Sequence, residues 1–274
     1  MYPNCYFGRG TMELFPYTPR PHQQAIITTI SNAFKNRAHL VMESGTGTGK
    51  TICALSAALQ YALSDNKKII YITRTNAQQQ QVIKELRAIR HELRPDDPRK
   101  DKLVGVGIQG RSNMCSHAKQ DEELSKGTSE ELSKFCSNEK KKTRNSQKGC
   151  PYYRNFVNEK EQVENMIEWF KDILPTAETF IEHCEQKMLC PYELNKKIVR
   201  DATVVVIPYI YIFDITIRNM LFDWLGIAEE DVLLIVDEAH NLPDYLRDLL
   251  SAQLSVWMLR NCSYEAKEYG NPSM

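Results

Sequence analysis

Ser44-Gly45-Thr46-Gly47-Thr48-Gly49-Lys50-Thr51 decides the fold of this 274-residue chain. A short apolar run, His39-Leu40-Val41-Met42, precedes it, and a mostly apolar stretch from Thr51 to Leu63 follows. The order reads as strand, glycine loop, helix. Such a loop aims backbone N–H groups at phosphate oxygens, and its glycines turn the chain without a Cβ clash. On this reading residues 44–51 cradle phosphates, with Lys50 on the β/γ-phosphates and the Thr51 hydroxyl on Mg²⁺. The pattern G-x-x-x-x-G-K-[ST] asks for Gly at position 44, where Ser44 stands. A small residue suffices there. The competing reading is a plain Gly/Thr-rich turn ahead of a helix.

Outward from the loop, helical and strand patterns alternate. Ala25, Ile26, Ile30, Ala33 and Phe34 recur at helical spacing after Arg20-Pro21-His22-Gln23. Lys68 to Thr73 reads as a strand. Asn76 to Leu93 reads as a helix with Val82, Ile83, Leu86 and Ile89 facing inward. Leu103 to Ile108 reads as another strand. Thr203 to Ile207 and Val232 to Val236 are continuous apolar runs, the pattern of parallel strands buried on both faces. Leu242 to Asn261 reads as one last amphipathic helix. The fold expected is α/β, a parallel sheet flanked by helices.

Asp237-Glu238-Ala239-His240 follows the last of these strands. Asp237 is therefore expected at the carboxyl end of a buried strand, where open α/β sheets bind ligands. There Asp237 would hold Mg²⁺ through water, and Glu238 would position and polarise an attacking water. An acidic, solvated strand end is the bland alternative. Chemistry alone assigns His240 no role.

The bulk numbers exclude some classes. Formal net charge is zero, so any polyanion site must be a local patch. No N-terminal stretch reads as a secretory signal. The longest apolar run, Thr203 to Phe213, holds Pro208 and is too short for a membrane span. A cytoplasmic location is expected, or a nuclear one in a eukaryote. Eight cysteines in such a chain favour metal or redox chemistry over a disulfide scaffold.

Cys115, Cys136, Cys150 and Cys190 lie between the two nucleotide motifs. Their spacing contains no C-x2-C pair, so it is not that of a zinc ribbon. Residues 116–149 are polar and carry too little apolar mass to build a core alone. Four thiolates gathered by an iron–sulfur cluster would supply the missing folding energy. Zinc fits the spacing too, with His117, His183 or Cys184 as alternative ligands. Cys5, Cys53 and Cys262 read as idle or buried thiols, and Cys184 as ambiguous.

The motif order resembles the XPD-like, Rad3-family helicases of superfamily 2, and the archaeal members in particular. The resemblance rests on Arg20-Pro21-His22-Gln23, Ser44 to Thr51, Thr73-Arg74-Thr75, Arg111-Ser112-Asn113-Met114-Cys115 and Asp237-Glu238-Ala239-His240-Asn241. It implies a RecA-like P-loop NTPase domain with an inserted [4Fe–4S] domain ligated by Cys115, Cys136, Cys150 and Cys190. It implies ATP, Mg²⁺ and the cluster as cofactors, with Gln23 contacting adenine. It implies ATP-dependent 5′→3′ unwinding in DNA repair, acting on single-stranded and forked duplex DNA, as a monomer meeting repair proteins. The expected division is residues 1–110 for the first part of motor domain 1, 111–200 for the cluster domain, 201–245 for the rest of the motor, and 246–274 for the start of an arch. Only 34 residues follow His240. A second motor domain is therefore expected to lie outside this sequence, leaving the chain alone a weak ATPase without strand movement.

A DNA contact is expected at Arg74, in a polar loop after a strand, and the resemblance implies that Arg111 stabilises the cluster or touches DNA. A surface salt bridge is the alternative for Arg111. Residues 111–160 hold eleven Lys and Arg against seven carboxylates. Tyr152, Tyr153 and Phe156 among them are candidates for stacking on unpaired bases, unless they are buried beside the cysteines. Two other functions compete: an ATP-gated, redox- or lesion-sensing DNA-binding module, and a zinc-stabilised NTPase acting on RNA or protein.

Overall fold

A computed structural model of the chain describes residues 12–45, 47–120, 124, 128–145, 147–251 and 256–270. Cys5 and Thr46, and the charged residues Asp121, Glu122, Glu123 and Lys126, lie outside the described residues.

The described elements run α1 (Gln23–Lys35), α2 (Lys50–Asp65), β1 (Lys68–Thr73), α3 (Asn76–Glu92), α4 (Arg99–Lys102), β2 (Gly105–Gly107), α5 (Arg111–Met114), α6 (Ser116–Lys119), α7 (Ser129–Arg144), α8 (Pro151–Asn158), α9 (Lys160–Ile173), α10 (Ala177–Gln186), α11 (Pro191–Asp201), β3 (Val204–Pro208), α12 (Ile210–Phe213), α13 (Ile215–Leu225), β4 (Val232–Val236), α14 (Leu242–Leu250) and α15 (Val256–Glu268). The strands form one parallel sheet in the order β2-β3-β1-β4. Ile69 of β1 pairs with Val204 of β3 on one side and with Leu233 of β4 on the other. Ile69, Ile70, Ile72 and residues 204–207 are fully buried. Those runs are apolar throughout because helices cover both faces of the sheet.

Helix α3 carries Val82, Ile83, Leu86 and Ile89 inward, as its period predicts. A capping box starts it: the Thr75 side chain accepts from the Gln78 N–H, and the Gln78 side chain accepts from the Thr75 N–H. Helices α1 and α2 pack through Ile27, Ile30, Cys53 and Ala57. Cys53 is thus a core residue. The chain divides into two compact units, 1–237 and 238–274, and α14 and α15 belong to the second.

Three sequence expectations are corrected. Residues 39–42 form no strand: they run as coil, with Val41 96% exposed. The single helix expected from Leu242 to Asn261 is two helices, α14 ending at Leu250 and α15 beginning at Val256. The polar segment after Cys115 is not a coreless loop. Ser129–Arg144 is a sixteen-residue helix, capped by a Thr128–Glu131 box, with Leu132 buried on its inner face.

Candidate nucleotide and cysteine sites

The loop ahead of α2 is held from outside and inside. Gly49, the residue before α2, has φ +82°, and Gly47 has φ +76°. Both need a conformation that only glycine adopts freely. From outside, the Gln23 side chain donates through Nε2 to the Thr48 carbonyl at 2.9 Å and accepts from the Arg20 N–H at 2.8 Å. Arg20 itself donates from its guanidinium to the Gly47 carbonyl at 3.0 Å. From inside, Lys50 Nζ spans the loop to the Ser44 carbonyl at 2.8 Å. The Ser44 and Thr48 hydroxyls are 2.8 Å apart. Ser44 thus departs from the glycine pattern while contributing a hydroxyl that ties the loop across its base. The first turn of α2 has no side-chain cap, which leaves its N–H groups directed at the loop. Thr51 lies in that turn, half-buried.

Asp237 stands directly after β4, where the sequence placed it. Its N–H donates to the Ile72 carbonyl at 2.9 Å, and the buried Tyr209 hydroxyl donates to its carbonyl at 2.6 Å. The backbone at the strand end is therefore fixed from two sides. In the second unit, Glu238 has φ +50° and His240 Nδ1 lies 3.3 Å from its carboxylate. Asn241 donates from Nδ2 to the Glu238 carbonyl at 3.1 Å and lies 3.0 Å from His240 Nε2. His240, unassigned from sequence, is exposed and lies beside the Glu238 carboxylate in this tight turn.

Four cysteines spread over the middle of the chain line one small cavity, together with Arg111, His117 and Lys140. Three of them precede short helices: Cys115 before α6, Cys150 before α8 and Cys190 before α11. The repeated Cys-Pro-Tyr is explained by this, because proline is pre-set for the first helical position. Cys115 Sγ accepts from the Ala118 N–H at 3.4 Å, and the amides of Tyr152 and Tyr153 lie by the Cys150 sulfur and that of Glu193 by the Cys190 sulfur, each favouring the thiolate. Cys136 comes from the middle of α7. Burial pushes the Cys115, Cys150 and Cys190 thiols up, Cys190 to about 12, while these amides pull the other way. The helix starts, Arg111 and Lys140 at the cavity thus offset only part of the burial that favours the thiol form of these sulfurs. Among the described residues, no group of three or more His, Cys, Asp or Glu is drawn to metal-ligating distance.

Around this cavity the sequence expectations sort themselves. Cys184 is fully buried in α10 and does not line the cavity. His183 stacks on Trp169 at 4.0 Å, so its ring is committed elsewhere. Tyr152 and Tyr153 are buried and line the cysteine cavity, the alternative the sequence left open to base stacking. The Tyr152 hydroxyl accepts from Gln120 at 2.7 Å, and the Tyr153 ring lies under Lys140. The Arg111 guanidinium sits 4.4 Å from the Tyr192 ring centroid and donates to the Ser133 hydroxyl at 2.7 Å. It lines the cysteine cavity. Arg74 is exposed, directly after β1. The roles of Arg20, Tyr209, Lys140 and Glu193 were missed. Only Arg20 carried a signal, its place in the Arg20-Pro21-His22-Gln23 run.

The DEAD_2 family matches residues 71–259. The helicase subunit XPD/RAD3 of general transcription and DNA repair factor IIH from Saccharomyces cerevisiae is 26% identical, over 91% of this chain and 32% of that protein. The regulator of telomere elongation helicase 1 homolog of Arabidopsis thaliana is 27% identical, over 96% of this chain and 26% of its own length. The chain therefore spans about a third or less of these relatives. Two solved structures share the fold. One, titled XPD_Helicase, has a TM-score of 0.54 at 17% identity, covering 85% of this chain and 34% of its own. The other, titled Truncated XPD, has a TM-score of 0.53 at 20% identity, covering 83% and 55%.

Proposed function

The chain belongs to the DEAD_2 family, and from that premise we propose that it is the ATP-binding motor portion of a 5′→3′ DNA helicase with a [4Fe–4S] centre. One observation carries the reading furthest. Four cysteines far apart in sequence line a single cavity, in the same compact unit as a phosphate-binding loop. A plain P-loop NTPase has no need of such a cavity.

The residues fit an ATP site. Gln23 and Arg20 hold the loop carbonyls outward, leaving the loop N–H groups and the first turn of α2 for phosphate oxygens. Lys50 now bridges carbonyls across the loop and is poised to exchange them for the β/γ-phosphates. Thr51 and Asp237 are assigned to Mg²⁺, and Glu238 to the attacking water. Gln23 is assigned to adenine by the remaining capacity of its amide. Arg74 is assigned to the DNA backbone. Cys115, Cys136, Cys150 and Cys190 are assigned to the cluster. Once bound, it would staple α6, α7, α8 and α11 together around one point. Hydrolysis by this chain alone is expected to be slow, because the opposing wall of such a cleft belongs to a second motor domain.

The decisive measurement is metal content with a visible spectrum on anaerobically purified protein. About four irons per chain and a broad band at about 400 nm support the cluster. A colourless protein holding one zinc would sink it. One observation favours zinc as the second reading. His117 lines the cavity with its Nδ1 buried and without a hydrogen-bond partner among the described residues, as a nitrogen ligand would be. The helicase reading is tested separately, by single-stranded-DNA-stimulated ATPase on a chain extended to include a second motor domain. RNA stimulating equally well, or DNA not at all, would count against it.

A further inference from the structure

Lys140 does something at the cysteine cavity that no sequence motif marks. It lies on α7 one turn after Cys136 and lines the cavity beside the sulfurs. Its side chain is 16% exposed, an unusual place for an ammonium group. It is retained because Glu193, 14% exposed, receives it in a short ion pair. Glu193 also receives Lys196 at 3.2 Å. Burial works against the charge on both Lys140 and Glu193, but their contact outweighs it, holding the lysine above and the carboxyl below its ordinary range. The Lys140 ammonium also lies 5.2 Å from the Tyr153 ring centroid.

The connectivity matters. Lys140 shares a helix with Cys136, and Glu193 sits in the first turn after Cys190, where its N–H faces the Cys190 sulfur. The ion pair therefore joins the elements that deliver two of the four thiols. Four thiolates around a metal centre carry net negative charge, and a buried centre of that kind needs fixed positive charge nearby. Lys140 and Arg111 are the two cationic side chains that line the cavity.

We propose that Lys140, oriented by Glu193, is a positioning and charge-compensating residue of the four-cysteine centre: it fixes Cys136 relative to Cys190 and balances the charge of the bound group. The proposal rests on the metal-centre reading above and goes beyond it in naming what keeps that centre intact. Lys140→Met keeps the aliphatic stem and removes the charge. Lys140→Arg restores it. Glu193→Gln keeps the shape and loosens the pair. Lys141→Met, on the exposed side of the same helix, is the control.

All four would be purified anaerobically as the 274-residue chain and compared with the parent. The readouts are iron per chain, the rate of visible bleaching in air, the midpoint potential and far-ultraviolet circular dichroism. Lys140→Met is expected to bleach about tenfold or more faster than the parent, with its helical signal unchanged. Glu193→Gln should follow in the same direction, and Lys140→Arg and Lys141→Met should behave as the parent. Bleaching and potential at parent values in both Lys140→Met and Glu193→Gln would overturn the proposal. Should Lys140→Met not fold, Glu193→Gln against Lys140→Arg decides it by the same readouts. A parent that carries zinc refutes the cluster but not the lysine. The same variants then report through zinc release to a chelator, where equal rates overturn the role of Lys140. A parent that binds no metal refutes both.

Discussion

The three glycines of the phosphate loop should respond to alanine in a fixed order, and that order comes from geometry alone. A Cβ on Gly45 would meet nothing within 4 Å, and the backbone there is not left-handed. A Cβ on Gly47 would also meet nothing, but φ is +76°. A Cβ on Gly49 would lie 2.5 Å from Gln23 Nε2, at φ +82°. The left-handed conformation costs an L-residue about 1–2 kcal/mol. Against this, alanine stiffens the unfolded chain and returns about 0.5 kcal/mol. Gly45→Ala should therefore be neutral or stabilising by about 0.5 kcal/mol, and Gly47→Ala destabilising by about 1 kcal/mol. Gly49→Ala adds displacement of the Gln23 amide from the Thr48 carbonyl, a part-buried bond worth about 1 kcal/mol, for a total of about 2 kcal/mol. Urea unfolding of the ligand-free chain reads these values directly from the midpoints at constant slope. In a Gln23→Ala background the Gly49 penalty should fall to that of Gly47, because the clash partner is gone. Equal losses at Gly47 and Gly49, or additivity in the double mutant, would refute the latch between Gln23 and the loop.

Other predictions concern different parts of the molecule. Thr75→Ala removes the cap of α3 and should cost about 1 kcal/mol in the same unfolding assay. Arg74→Ala should weaken single-stranded DNA binding and lower the slope of log affinity against log salt by about one, as measured by fluorescence anisotropy across a salt series. Tyr152→Phe loses the bond from Gln120 and should cost about 1 kcal/mol while leaving DNA affinity untouched, since the ring is buried. Asp97, hydrogen-bonded by Arg99, is held down to about 2 from the model-compound value of 3.8. Its folded value is depressed, so the contact stabilises fully above pH 4 and is lost as pH falls toward 2. In Arg99→Met a carbon-detected titration should find the Asp97 carboxyl back in the ordinary range, and an unchanged low value would contradict the assignment.

Much of the fold was legible because burial on both sides leaves no choice of residue. Ile69 to Ile72 and Val204 to Ile207 can be little else than strands between helical layers, and both are. The reading failed at residues 39–42 for the same reason it succeeded there. An apolar run says that a segment can be buried, not that a partner strand stands beside it. In the structure β4 pairs with β1, its residues are only partly buried, and Leu234 is 46% exposed. The break between α14 and α15 was invisible for a different cause. Periodicity continued through Ser251 without a proline or glycine to mark the stop.

The cysteine site shows what spacing can and cannot carry. The spacing permitted iron or zinc and excluded a ribbon, but it said nothing of how the thiols are presented. Cys150-Pro151 and Cys190-Pro191 became informative only as helix starts, where each proline takes the first helical position and leaves its cysteine at the cap beside the cavity. The charge excess of residues 111–160 was read as a possible nucleic-acid surface. In the structure two of its members, Arg111 and Lys140, turn inward to the sulfurs, and two of its aromatics form the walls. A local count of charges cannot separate a patch that greets a polyanion from one that encloses an anionic centre. Burial separates them: here Tyr152 and Tyr153 are buried and Arg111 and Lys140 are half-buried against the cavity, while Arg74 is exposed.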